Sequence, residues 1–146
     1  MESDGPGRDG TGSLTFMVRR AWLNMRAAIG AELEEFGLST SQYATLMMTA
    51  AQPGLSVAEI ARRVASTRQA ANEMLGSLER EGLIERRPNP SDRRTQQVHV
   101  TEPGLALLAK ARIAVDRREA ELEATLPPEQ RRAIRDWLEG IADACR

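Results

Sequence analysis

A mainly α-helical fold carrying one small β-hairpin is what this sequence predicts, and three observations predict it. Apolar residues recur at spacings of three and four over most of the chain, the period of a helix with one buried face. Hydrophobic residues make up 41% of the composition but aromatics only 3%. A core must therefore come from Leu, Ile, Val, Ala and Met, which suits packed helices better than a sandwich. One window, 83–101, switches instead to strand-like runs on either side of Pro88-Asn89-Pro90. At 146 residues the chain is a single domain's worth, long enough for a real core.

Residues 1–13 hold Gly5, Gly7, Gly10 and Gly12 with Pro6 and no apolar anchor after Met1, the composition of a flexible tail. From Leu14 the pattern is helical to Phe36, about six turns, and Gly37 closes it. Trp22, Met25 and Phe36 on its stripe exceed what one face of a small domain needs, so a subunit interface is expected there. Ser39-Thr40-Ser41-Gln42 fits a capping box and starts a second helix, ended by Pro53-Gly54; Ser56-Val57-Ala58-Glu59 is a second box and starts a short third helix. After a turn at Ala65-Ser66, Thr67 caps a fourth helix that runs to about Glu81 and is closed by Gly82. Ala71, Met74, Leu75 and Leu78 occupy one side of it; Arg68, Gln69, Asn72, Glu73 and Gly76 fall on the other. One packed face and one polar face is the division required of a recognition helix.

Leu83–Arg87 reads as one strand and Gln96–Thr101 as a second, the latter alternating polar and apolar. The prolines between them break helix and ladder alike, so Ser91-Asp92-Arg93-Arg94-Thr95 projects as a loop. Adjacent guanidinium groups at a hairpin tip bind phosphates or enter a narrow minor groove; the plainer reading is a solvated tip. Thr101 then caps a fifth helix with Pro103 in its first turn, running to about Thr125. Pro127-Pro128-Glu129 starts the last, whose stripe is Ile134, Trp137, Leu138, Ile141, Ala142 and Cys145.

Formal net charge is −1, which conceals an asymmetry. Between Arg62 and Arg94 stand eight arginines against five acids, an excess of three, while the remainder has 12 basic and 16 acidic residues. The basic surplus coincides with the fourth helix and the hairpin. The single cysteine, Cys145, excludes an intramolecular disulfide and predicts a reducing compartment; with no apolar run long enough to span a bilayer and no leader-like segment, a cytoplasmic protein without membrane association is expected. On the last stripe Cys145 is expected to be a small buried hydrophobe.

Helix, helix, helix-turn-helix, hairpin, helix, helix is an order that resembles the MarR family of bacterial winged helix-turn-helix regulators over roughly residues 14–145. The residues that carry the resemblance are Leu55-Ser56-Val57-Ala58-Glu59-Ile60-Ala61, Leu78-Glu79-Arg80-Glu81-Gly82-Leu83-Ile84, and the wing stretch from Asp92-Arg93-Arg94 through Thr101-Glu102-Pro103-Gly104. The resemblance implies a homodimer whose terminal helices, 14–36 and 102–146, interlock. It implies a DNA-binding module over 38–101, with a recognition helix in the major groove and the wing along the adjacent minor groove of a pseudo-palindromic operator. A transcriptional repressor released by a small ligand, of which a phenolic or aromatic compound is one kind, is the function it implies, with no cofactor.

The residues supply matching chemistry. Gln69 and Asn72 can pair bidentately with adenine, and Arg68 can reach a guanine or a phosphate. Thr67 can touch a phosphate as well as cap its helix. Arg94 matches the wing arginine of the minor groove and Arg93 is assigned to phosphate. Asp92, an anion, is expected to orient an arginine through a hydrogen-bonded ion pair. Glu73 either accepts from a cytosine amino group or points aside. Gly76 costs about 1 kcal/mol relative to Ala in a helix, through backbone closeness or for no structural reason. For a ligand pocket between the terminal helices and the DNA-binding module, the candidates are Trp22, Met25 and Arg26 on the first helix and Tyr43 and Met47 on the second; a stripe of such residues also suits a plain core.

Other functions lack a residue set. One His and one Cys, no glycine-rich phosphate loop and no metal motif assemble neither an acid–base pair nor a nucleophile, so no catalytic residues and no metal ligands are assigned. His99 falls in the wing strand, and no cysteine lies in the first helix where peroxide-sensing members of the family carry one. The remaining alternative is a winged-helix protein-interaction module without DNA binding, which Glu73 and the net charge favour and the wing arginines oppose.

Overall fold

The structure, a computed structural model, describes residues 9–146. Of the segment expected to be a flexible tail, residues 1–8 lie outside the described residues; residues 9–13 form a turn that leads into α1, Leu14–Leu33. The Ser13 side chain accepts from the Phe16 N–H at 3.3 Å and caps that helix. A short 3-10 turn, Glu34–Phe36, tightens its end, and Gly37 leaves it at φ 66°, in the left-handed region that favours glycine.

Both predicted capping boxes form. Ser39 and Gln42 exchange side-chain bonds with each other's backbone at the start of α2, Thr40–Ala51. Ser56 and Glu59 do the same at α3, Val57–Val64. Thr67 accepts from the Ala70 N–H at 3.0 Å and starts α4, Arg68–Arg80, beyond which Gly82 turns the chain at φ 74°. The hairpin strands are β2, Ile84–Pro88, and β3, Gln96–Val100; α5 spans Glu102–Glu123 and α6 Pro128–Ala144.

The sheet has three strands, not the two of a simple hairpin. Leu55–Ser56 adds antiparallel to β3 as β1, with Leu55 opposite Val98 and Ser56 opposite Gln97, giving the order β1-β3-β2. Two residues carry no strand period, and Ser56 also caps α3, so only tertiary pairing makes this strand. Pro88, expected to break the ladder, ends it opposite Gln96. The reason is geometric: the Asn89 N–H bonds to the Thr95 carbonyl, so the Pro88 nitrogen faces outward on an edge strand, where no donor is needed.

The core is centred on the central module and takes in Leu33 of α1 and Leu108, Ala111 and Val115 of α5. Leu33, Leu46, Ile60, Leu75, Leu78 and Val98 are fully buried, each contributing about 1.5–3 kcal/mol by removal from water. Thr101 ties the module to α5: its N–H donates to the Leu83 carbonyl at 3.0 Å, its hydroxyl donates to the Gly82 carbonyl at 2.6 Å, and its oxygen accepts from the Gly104 N–H. Gly104 itself is obligatory, because a Cβ there would overlap the Leu83 carbonyl and crowd the Val100 side chain. By contrast α6 buries none of its residues, and α1 buries only Leu33. Cys145, expected to be buried on the α6 stripe, is exposed, because no described residue of the same subunit covers it.

Candidate nucleic-acid interface

The outward face of α4 carries Arg68, Gln69, Asn72 and Glu73, all exposed, while Ala71, Leu75 and Leu78 pack inward. The helical period thus separates the two sets as the sequence predicts. Thr67 is exposed at the helix start with its oxygen engaged as the cap. Gln69 and Glu73 stand one turn apart, the Gln69 amide donating to the Glu73 carboxylate at 3.5 Å. Glu73 thus stands beside a candidate base-reading residue on the exposed face of α4. Asn72 is held at both ends of its amide. Its Nδ2 donates to the Arg68 carbonyl at 3.1 Å, and its Oδ1 accepts from Arg86 Nη1 at 3.2 Å.

In the wing tip, Asp92 does not form the ion pair expected of it. Its Oδ1 accepts from the Arg94 backbone N–H at 3.0 Å, and its carbonyl accepts from the Thr95 N–H and hydroxyl, both at 3.2 Å. A carboxylate on so short a stem reaches its own backbone two residues on more readily than a guanidinium extended into water. Asp92 shapes the loop, and the Arg93 and Arg94 side chains are left exposed with no ion pair among the described residues. Asn89 supports the same turn, donating to Thr95 Oγ1 at 3.2 Å and accepting from the Ser91 N–H.

Helix and wing face one another. Arg68, Asn72 and Arg86 line one side, and Arg93 and Arg94 the other, of a concavity of about 300 Å³ floored by the first residues of α3. Four arginines line it beside the N–H end of α3, and Arg68, Arg93 and Arg94 have no carboxylate partner among the described residues, an arrangement that favours a polyanion.

A larger cavity, about 720 Å³, lies behind α4. Trp22 and Arg26 of α1 line it, with Thr40 at the start of α2, Arg63 of α3, and Ala70 and Met74 of α4. So α4 runs between two spaces, presenting Arg68 and Asn72 to one and Ala70 and Met74 to the other. Of the five residues expected at a ligand pocket, only Trp22 and Arg26 line this cavity. Tyr43 is a core residue, buried among α2 and α5, where burial first and the nearby Asp116 second push its phenol above the ordinary range. Met25 and Met47 are exposed and line no part of the cavity. Their phase differs: helical spacing marks a face of α1 or α2, but not which neighbour that face meets.

Residues 36–95 match the MarR family model. The HTH-type transcriptional repressor Rv2887 of Mycobacterium tuberculosis is 32% identical over 128 residues, which cover 88% of this chain and 92% of the relative. The chain belongs to the MarR family. The transcriptional repressor CouR, in a structure bound to a 23-mer DNA duplex, is 30% identical with a TM-score of 0.83 over 96% of this chain and 99% of that one. Rv2887 complexed with salicylic acid superposes with a TM-score of 0.73 at 32% identity, covering 88% of this chain and 96% of that one.

One residue of this MarR chain that sequence reading passed over is Arg86, which reads as one more surface arginine of the basic window. A signal was present. In the two-residue period of β2, Ile84 points inward and Glu85 outward, so Arg86 takes the inward phase, opposite the fully buried Val98. A charged side chain on a core-facing position must find polar partners.

Proposed function

We propose that this MarR family member is a dimeric, sequence-specific DNA-binding repressor, released by a small aromatic acid that enters the cavity behind α4. The observation that carries the DNA-reading part is the convergence of Arg68, Arg93 and Arg94, uncommitted to carboxylates, on one face with the polar side of α4. In this reading α4 enters the major groove and Arg94 the adjacent minor groove, with Arg93, Thr67 and the start of α3 on phosphates. Residues 38–101 serve as the DNA-binding module, and the apolar faces left open on α1, α5 and α6 meet a second copy of the chain. No helix among the described residues is long and apolar enough to cross a membrane, and we place the protein in the cytoplasm with its DNA, acting by binding rather than by catalysis.

The cavity supports the release step. Trp22 offers an aromatic face and Arg26 and Arg63 offer cations, the chemistry that receives an aromatic carboxylate. Ala70 and Met74 form its wall on the back of the helix whose front meets DNA, so an occupant that displaces them moves the reading residues. That Rv2887 binds salicylic acid in a structure of the same fold is consistent with this.

Selection from a randomised duplex pool at moderate salt tests the reading. An enriched pseudo-palindrome with half-sites about one helical turn apart is expected. A folded dimer that enriches no sequence would point to a protein-interaction module instead. With the operator in hand, Arg94→Ala should weaken binding about tenfold or more and remove A·T preference at the wing position; unchanged affinity would take the wing out of the mechanism.

A further inference from the structure

We propose that Arg86 is a positioning residue for base reading, which sets the amide of Asn72 and locks the wing to α4 as one rigid reader. The inference rests on α4 being the recognition helix.

Arg86 is largely buried, its side chain 18% exposed, at the centre of β2. Its guanidinium makes three contacts with α4. Nη1 donates to Asn72 Oδ1 at 3.2 Å, Nη2 donates to the Asn72 carbonyl at 3.4 Å, and Nε stands 3.6 Å from Glu79 Oε2, an ion pair too long to be a hydrogen bond. A bare counter-ion for Glu79 would not need the two bonds to Asn72. Both go to one residue, side chain and backbone together, so they fix its position and its rotamer.

The consequence for Asn72 follows from its donor and acceptor inventory. Arg86 takes one of two lone pairs on Oδ1, and the Arg68 carbonyl takes one of two hydrogens on Nδ2. One acceptor and one donor remain, the pair that adenine N6 and N7 require. An amide already held loses no rotamer freedom on meeting a base. The consequence for the wing is mechanical. Arg86 lies two residues before Pro88, where the strand enters the wing loop, so tying it to the middle of α4 fixes the separation of Arg94 from the helix. Lysine cannot substitute, because a single ammonium cannot span Asn72 Oδ1, the Asn72 carbonyl and Glu79 at once.

The test compares base-preference profiles of the wild-type dimer, Arg86→Lys, Asn72→Ala and the double variant, each by selection and sequencing on the same duplex pool. Asn72→Ala should flatten preference by about 5-fold to 100-fold at one base pair of each half-site, the range of a bidentate contact. Arg86→Lys should flatten the same position, and the double variant should add nothing there. A merely structural arginine would lower affinity evenly and leave relative preferences intact, which would overturn the inference. So would additive single variants, or an Asn72→Ala profile like that of the wild type. A wild-type protein that selects no sequence would defeat the DNA-reading proposal itself, and the inference with it. In case Arg86→Lys does not fold, the wild-type protein supplies an independent reading: side-chain amide relaxation by NMR should show Asn72 as rigid as the α4 backbone. A freely mobile Asn72 amide would overturn the inference without any variant.

Discussion

Between Leu38 and Val100 the large apolar side chains, Met47 apart, are largely covered by their own chain: Leu46, Ile60, Leu75, Leu78 and Val98 have no exposed surface. On α1 and α6 residues of the same kind are left in the open, with Trp22 58%, Trp137 46% and Leu138 48% exposed. Helices in water draw most of their stability from burying an apolar face. The central module meets that requirement within one subunit, whereas α6 and most of α1 do not. The lesson is a division of labour. One region, the reading head in the function we propose, closes its core within the subunit with help from Leu33 of α1 and Leu108, Ala111 and Val115 of α5. The other is half of a surface whose completion, in the dimer we propose, also fixes the spacing between two such heads.

The largest effect expected is in the module. Leu75→Ala removes a fully buried side chain from the inner face of α4 and should cost about 2–5 kcal/mol in urea unfolding. A loss below about 1 kcal/mol would mean that the core recloses around the gap, and that the module is less tightly packed than its burial implies. Leu138→Asp attacks the other region. It should raise the dimer dissociation constant about thirtyfold or more, as loss of a central interface side chain does. Sedimentation would then show a folded monomer, and a variant that stays dimeric at micromolar concentration would remove α6 from the interface.

Smaller effects sharpen the contrast. Gly76→Ala should stabilise the module by about 0.5–1 kcal/mol, because the sole close neighbour of an added Cβ is the exposed, movable Arg80 guanidinium at 3.3 Å. No gain in the denaturation midpoint would show that Arg80 cannot yield. The smallest effect is expected on α5. Partial burial first, then repulsion from Asp116 and Glu123, raises the Glu119 carboxyl above its usual value of 4.5. The folded state therefore keeps this proton to higher pH than the unfolded chain, and stability is lost as pH rises from the unfolded value through the folded one. Glu119→Gln should bring a small gain at pH 7 and none at pH 3, where both states are protonated. An equal effect at both pH values would assign the change to packing rather than charge.

How much was legible varies with the distance over which each contact acts. The polar face of α4 could be read from its period, since Arg68, Gln69, Asn72 and Glu73 share a side of any helix drawn through them. That Asn72 is held by an arginine 14 residues later, in a strand, could not. Asp92 is the instructive exception, because its partner is local and residue type still does not name it. Ion pairing and a backbone turn both satisfy a carboxylate, and only the path of the loop chose between them.

What the sequence by itself determined are the features closed by bonds within three or four residues. These are the Ser39–Gln42 and Ser56–Glu59 boxes, the Thr67 and Thr101 caps, the left-handed glycines at 37 and 82, and the division of each helix into two faces. Each depends on side chain and backbone already adjacent, so the residue types suffice. Tertiary structure alone decided the β1 strand, the Arg86 clamp, and which residues of α1 and α2 line the cavity. Those depend on which faces meet across the fold, and periodicity names a face without naming its neighbour.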